Sequence, residues 1–193
     1  SLYRNQAKSF LHKRGITDVD IKKYKIGFCD SGLYEGRIII PSYDDKGILN
    51  YFVGRSFVGE KMKYKNPNVS RDIIPFDWYI AWSKPIVLCE GVFDAMSIRS
   101  NAIPMLSKKP SKSLLQKIFE KNVKTIYIAL DDDAKKDAYN MSEFFKDFGI
   151  DCKVVQLPKD KDPNDLGWEK ITTLIHSTES ASFSDSIQAR LYG

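Results

Sequence analysis

The sequence predicts an α/β protein: a mostly parallel sheet with helices on both faces, preceded by a smaller α+β subdomain that contains a β-hairpin. Three observations predict it. Beyond Pro85, short apolar runs alternate with amphipathic segments, the rhythm of strand–helix–strand units. Before Pro85, the apolar runs 36–41 and 48–54 flank Asp44-Asp45-Lys46-Gly47, a hairpin pattern. The apolar runs 86–89 and 125–130 both stop abruptly at carboxylates, which places acidic groups just past strand ends.

In chain order, residues 3–14 carry Ala7, Phe10 and Leu11 on one helical face, with Gly15 as the stop. Thr17 is the N-cap of a short helix through Lys23, with Asp18 and Asp20 in its first turn. Residues 26–34 are turn-rich. Arg37 and Arg55 mark the outer ends of the hairpin and are expected to approach each other across it. Residues 56–82 have no period and read as a long, functional type of loop, with one short strand near 63–65. Then follow a strand at 86–89, a helix at 93–100, a short strand at 103–106 and a helix at 113–122 that buries Leu114, Leu115, Ile118 and Phe119. A strand at 125–130 leads to a helix at 134–148 that buries Ala138, Met141, Phe145 and Phe148. A strand at 152–157 and a helix at 168–175 complete the pattern. The organisation expected is a basic α+β subdomain at 1–83, the strand–helix domain at 84–170 and a short helical or flexible tail at 171–193.

Hydrophobic residues make up 42% and charged residues 28% of the 193, the balance of a globular chain long enough to bury a core. No apolar run approaches the roughly 20 residues of a membrane helix, and no signal-peptide pattern opens the chain. A cytoplasmic protein without a membrane partner is expected. The first residue is not Met, which reads as a processed or excised piece. Cys29, Cys89 and Cys152 lie far apart and offer neither zinc spacing nor a disulfide framework, so no zinc is expected. The net charge of +5 permits a polyanionic partner without demanding one. Bases cluster at Lys61, Lys63, Lys65 and Arg71 and at Lys108, Lys109 and Lys112, away from the acids. Two solvated lysine-rich loops would give this pattern; so would a protein that binds both cations and phosphates.

Glu90 follows four apolar residues and stands at a strand tip, with Gly91 allowing a tight turn. Asp94 lies one helical turn on, where the helix dipole alone would also favour an acid. In an extended chain Asp131 and Asp133 point to the same side and can share a ligand, while Asp132 or Asp133 can cap the next helix. Three adjacent carboxylates repel one another without a cation. In the cluster 160–165, Pro163-Asn164 is turn chemistry. Oxygen-only donors at strand ends suit magnesium or manganese.

An apolar strand ending in Glu90-Gly91, Asp94 four residues after the Glu, and a later strand ending in Asp131-x-Asp133 together resemble the Toprim domain. Bacterial-type primases, type IA and type II topoisomerases and some nucleases share that domain. The resemblance implies that Glu90, Asp131 and Asp133 hold Mg2+ (or Mn2+) and are catalytic. Residues 162–165 resemble the primases' third acidic motif: Asp162 matches its first acid, Asn164 stands where the second is usual, and Asp165 lies beside it. Asp162 and Asp165 are thus expected to support a further ion, with Asp94 and Asn164 behind the ligands. Residues 10–17, 24–27, 36–41, 53–55 and 63–66 resemble the first half of the bacterial primase polymerase core. This implies nucleic-acid or nucleotide contacts by Arg37, Arg55, Lys63 and Lys65, and triphosphate contacts by Lys108 and Lys109.

The chain departs from the family where Asp132 replaces the Gly of Asp-Gly-Asp and where Ser107-Lys108-Lys109-Pro110 replaces a usual Gly. The family's zinc-binding and helicase-binding domains have no counterpart in the sequence. Compact primases of phages or mobile elements, acting in a host cytoplasm, would tolerate such differences. The function implied is a DNA-directed RNA polymerase of primase type. It would make short RNA primers from ribonucleoside triphosphates by two-metal nucleotidyl transfer. Its partners would be single-stranded DNA template, RNA–DNA hybrid and, through missing regions, a replicative helicase. The alternatives are a Toprim-type metal-dependent nuclease and a non-catalytic nucleic-acid-binding module of a replisome.

Overall fold

The computed structural model describes residues 2–178, so most of the tail expected at 171–193 lies outside the described residues. Helix α1 (Leu2–Lys13) stops at Gly15, whose φ of 74° takes the chain into the left-handed region. Helix α2 (Asp18–Lys23) starts on a reciprocal cap: Thr17 Oγ1 accepts from the Asp20 N–H, and the Asp20 carboxylate accepts from the Thr17 N–H. Strand β1 (Gly27–Cys29), in the segment that read as turns, pairs antiparallel with β2 (Arg37–Tyr43), and β2 pairs with β3 (Leu49–Ser56). Arg37 stands opposite Ser56 and Arg55 opposite Ile38. Because neighbours on a strand alternate faces, the two arginines leave opposite faces of the sheet and do not approach each other. In the long loop, Tyr64 bridges to Arg55, and Asp77–Tyr79 forms a 3-10 turn. The chain at Lys65 runs so close to β3 that a Cβ on Gly54 would stand 2.3 Å from the Lys65 carbonyl oxygen.

The second sheet is parallel throughout, in the order β5-β4-β6-β7. Its strands are β4 (Ile86–Cys89), β5 (Ala102–Pro104), β6 (Thr125–Ala129) and β7 (Asp151–Val154). Helices α3 (Val92–Ile98), α4 (Lys112–Glu120), α5 (Lys135–Asp147) and α6 (Pro163–Ser177) cover it. The β4–α3–β5 unit runs in the opposite direction along the sheet from the β5–α4–β6 and β6–α5–β7 units. With right-handed crossovers, α3 falls on one face and α4 and α5 on the other. Burial follows this division. Ile86, Leu88, Ile126, Ile128 and Cys152 pack with Leu114, Ile118 and Phe145. Val87, Cys89 and Ala129 pack with Phe93, Met96 and Ile171, in a core continuous with Leu11, Ile16, Ile38, Ile40 and Phe76 of the N-terminal part. Each large side chain buried there contributes roughly 1.5–3 kcal/mol of transfer free energy. None of the described helices is long and apolar enough to cross a membrane.

Two further expectations are corrected. Phe119 and Phe148 are not core residues: they are 39% and 62% exposed, and their rings meet at 5.1 Å on the surface. The apolar stripes of α4 and α5 are wider than the sheet beneath them, and Phe145 takes the buried place. Pro163-Asn164 is no turn either. Asp162 is an N-cap and Pro163 the first helical residue, where its missing N–H costs nothing; this first turn breaks at Gly167 (φ 73°, ψ 170°), and the helix expected from 168 follows the kink.

A buried ion pair ties the two halves together. Lys117 Nζ on α4 lies 2.5 Å from Asp77 and 2.9 Å from Asp45 of the hairpin turn, and Trp82 Nε1 donates to Asp77 at 2.9 Å. The Asp77 side chain is only 4% exposed, so removing the lysine would strand a buried charge. We expect Lys117→Met to lower unfolding free energy in urea by about 3–5 kcal/mol. Asp45→Ala, at an exposed partner, should cost far less; equal losses would show that the buried Asp77 does not govern the pair.

Candidate active site

Strands β4 and β6 are neighbours with Cys89 opposite Ala129. Glu90 and Asp131 therefore leave the sheet at adjacent tips, at the point where the strand order changes direction and open α/β sheets bind ligands. Glu90 Oε2 and Asp131 Oδ1 are both buried and have no hydrogen-bond partner. Burial raises the Glu90 carboxyl above its ordinary range; Asp133 adds to this and Lys108 opposes it. Burial, followed by the charges of Glu90, Asp162 and Asp133, pushes Asp131 up to about 6. Asp94, in the first turn of α3, is pushed up to about 7 by burial and then by Asp162 and Asp131. It rises despite accepting from the N–H groups of Gly91 (3.0 Å) and Asn164 (3.3 Å). Glu90, Asp94, Asp131, Asp133 and Asp162 thus act on one another at one end of the sheet. Gly91 serves this arrangement by its size: its φ of −119° is ordinary, but a Cβ there would stand 3.0 Å from Asp94 Oδ2.

The Asp131–Asp133 stretch is not extended. Asp132–Ala134 is a 3-10 turn, closed by the Ala134 N–H donating to the Asp131 carbonyl at 2.9 Å, so the two-residue alternation does not apply. Asp131 is half-buried at the strand tip, whereas the Asp133 side chain is 73% exposed and accepts from Lys108 Nζ at 2.7 Å. Asp132 pairs with Lys135 at 2.5 Å, and no side chain of the three caps the following helix. As they stand, no three His, Cys, Asp or Glu side chains among the described residues are grouped to hold a metal ion. The donor chemistry nevertheless fits a hard divalent cation: two unpartnered carboxylate oxygens, further acids beside them, and little counter-charge.

In the third acidic segment, Asp162 Oδ1 accepts from the Asp165 N–H at 2.6 Å and the Asp165 carboxylate accepts from the Asp162 N–H at 3.4 Å. The charge of Asp162 reaches Asp94 and Asp131, while Asp165 is exposed at the helix end. Asn164 is a clasp. Its Nδ2 donates to the Arg14 carbonyl (2.9 Å) and to Ser97 Oγ (2.8 Å), and its Oδ1 accepts from Arg14 Nη1 (2.9 Å).

The basic residues are placed unequally. Arg37, expected to contact phosphate, is 3% exposed; it donates to the Glu60 carboxylate and to the carbonyls of Met62 (3.1 Å) and Lys63 (3.4 Å). A guanidinium satisfied in this way braces the loop and has no face open to a ligand. Lys63 itself is exposed. Lys65 Nζ donates to the Leu33 carbonyl at 2.9 Å and lies 5.7 Å from the Tyr34 ring. The Arg55 guanidinium lies between the rings of Tyr64 (4.7 Å) and Phe10 (5.7 Å). Arg14, which is not among the candidate residues of the sequence, continues the stack against Phe10 (5.2 Å) and Phe93 (4.7 Å). Its only sequence signal was aromatic residues interleaved with bases, without fixed spacing. Lys108 reaches the acids, while its neighbour Lys109 lines a separate groove of about 520 Å³ with Arg71 and Lys112.

The raised carboxyls of Asp94 and Asp131 keep protons in the folded, metal-free chain where the unfolded chain has lost them. Stability therefore falls as pH rises from the ordinary 3.8 through about 6 and about 7. The thermal midpoint in chelator should be lower at pH 8 than at pH 5, Asp131→Asn should flatten the slope, and magnesium should stabilise more at pH 8. A midpoint independent of pH would contradict this account.

Residues 87–167 match the family described as Toprim-like. A DNA primase of Campylobacter jejuni is 26% identical over 231 aligned residues, covering 91% of this chain and 37% of that protein. An uncharacterised protein of Mycoplasma genitalium is 27% identical, covering 84% of this chain and 83% of that one. The chain thus spans 30–37% of the length of the curated primases it matches. Among solved structures, the DnaG primase catalytic domain bound to ssDNA superposes with a TM-score of 0.81 at 17% identity, over 99% of this chain and 76% of that one. At such identity the likeness speaks for the fold. The chain therefore carries a Toprim-like domain over residues 87–167 and has the fold of a bacterial-type primase catalytic core.

Proposed function

We propose that this chain is the catalytic core of an RNA primase. It would copy single-stranded DNA into short RNA primers from ribonucleoside triphosphates. The observation that carries the reading is the pair of unpartnered carboxylate oxygens of Glu90 and Asp131 at adjacent strand tips, within a primase-type fold. In the reaction, a ribonucleotide 3′-oxygen bonds to the α-phosphorus of the incoming triphosphate, the bond to pyrophosphate breaks, and the hydroxyl proton leaves to solvent.

Glu90, Asp131 and Asp133 would hold magnesium or manganese, which supplies charge neutralisation at the reacting phosphate. Asp162, whose charge reaches Asp94 and Asp131, is the acid of the third segment best placed to support a further ion; Asp165 would act through the cap it forms with Asp162. Asp94 and Asn164 hold α3 and α6 in register behind these groups. Lys63, Lys65 and Arg55 would meet phosphates of template or nucleotide, with Arg37 as the brace beneath them, and Lys109 would meet the triphosphate. Binding resting on a few phosphate contacts would weaken steeply with salt. On this reading residues 1–83 present the nucleic acid and residues 84–170 the acids.

The test is primer synthesis on single-stranded DNA with magnesium and labelled ribonucleotides. Wild type should incorporate them. Glu90→Ala and Asp131→Ala should lose about 10²–10³-fold or more in rate while keeping the wild-type circular dichroism spectrum. Wild-type rates in either variant, or cleavage of the template without incorporation, would overturn the proposal.

A further inference from the structure

Lys108 belongs to the stretch where this chain departs from the pattern it otherwise resembles, and the fold aims it at the acids. Its ammonium donates to Asp133 Oδ2 at 2.7 Å, and its charge counters the crowding at Glu90 and Asp131. The loop behind it is fastened along its length. The Leu106 N–H, at a left-handed φ of 58°, donates to the Glu90 carbonyl at 2.9 Å. The Ser107 hydroxyl donates to the Lys109 carbonyl at 2.5 Å. Ser111 caps α4 and donates to the Ile73 carbonyl at 2.9 Å. The lysine is therefore carried on a fixed support whose root is Glu90 itself.

Two facts give this contact a consequence. Glu90 Oε2 and Asp131 Oδ1 are buried without partners, whereas Asp133, the third acid of the set, is engaged by the ammonium. The Lys108–Asp133 pair lies at the open side, with side chains 40% and 73% exposed, where exchange of partners is easy. We propose that Lys108 is a resident counter-cation: it holds Asp133 while the site lacks a divalent ion, and the arriving ion displaces it, so that Lys108 sets the metal affinity. The proposal rests on the metal-binding reading above. A cation entering this site must both take Asp133 from the ammonium and settle beside a positive charge. A single and a double charge about 6 Å apart in water repel enough to weaken binding by on the order of tenfold. The freed ammonium is then available to phosphate oxygens at the same mouth.

The test is titration of the chain with Mn2+ alone, without nucleotide, following the electron paramagnetic resonance signal of the free ion. Lys108→Met should bind Mn2+ about tenfold more tightly than wild type. Lys112→Met, which removes the same charge from the groove shared with Arg71, should change affinity by less than about threefold. The double variant Glu90→Gln/Asp131→Asn should lose the site. If the double variant binds as wild type does, the metal-binding reading itself falls. If it loses binding while Lys108→Met is unchanged or weaker, that reading stands and the displacement is overturned. Equal tightening in Lys108→Met and Lys112→Met would also overturn it, in favour of net charge alone.

Discussion

The pairing of β4 with β6 is the constraint on which the rest of the molecule depends. β4 is buried on both faces and β6 fully on one, with Tyr127 half-buried on the other, so their register is set by close packing of Ile86, Leu88, Ile126 and Ile128 on one side and Val87, Cys89 and Ala129 on the other. That register leaves Glu90 and Asp131 side by side at the sheet's end, whatever their charges prefer. The cost appears as carboxyls that hold their protons unusually tightly and as oxygens with no donor. Much of the surrounding structure offsets that repulsion: the Gly91 and Asn164 N–H groups at Asp94, the α6 cap at Asp162, and the Lys108 ammonium at Asp133.

The N-terminal part is not an appendage to this sheet. It shares an apolar core with α3 and α6, and polar contacts join it to the same elements that carry the acids. Arg14 lies against Phe93, one residue before Asp94, and is bonded to Asn164. From there the alternation of rings and guanidinium groups runs through Phe10 and Arg55 to Tyr64 on the basic loop. On the other face, Lys117 joins α4 to the hairpin turn through Asp45 and to the long loop through Asp77. The basic and acidic regions are thus joined by contacts on both sides of the sheet.

Charged residues were the hardest to read from sequence, because the same residue type serves opposite ends. Arg37 and Lys63 carry the same expectation of nucleic-acid or nucleotide contact, yet one is a buried brace and the other an exposed group on the loop it braces. Lys108 and Lys109 are adjacent, yet one faces carboxylates and the other a groove. Asn164 stands where the family has its second acid, and it is a clasp that joins Arg14, just past α1, to Ser97 of α3. In each case the role is set by a partner distant in the chain, and no local pattern names that partner.

From the sequence follow the alternation of strands and helices, the hairpin, the cap at Thr17 and the stop at Gly15, and the placing of Glu90 and Asp131 just past strand ends. These depend on apolar period, run length and turn chemistry, which act over a few residues. The tertiary structure alone decided that β4 lies between β5 and β6, that Asp133 is engaged by Lys108, and that Arg37 is buried. It also left Phe119 and Phe148 at the surface, because helix stripes record which side is apolar but not how far the sheet beneath extends. Those outcomes follow from which surfaces meet when the two halves close on one core, and periodicity along the chain carries no record of that.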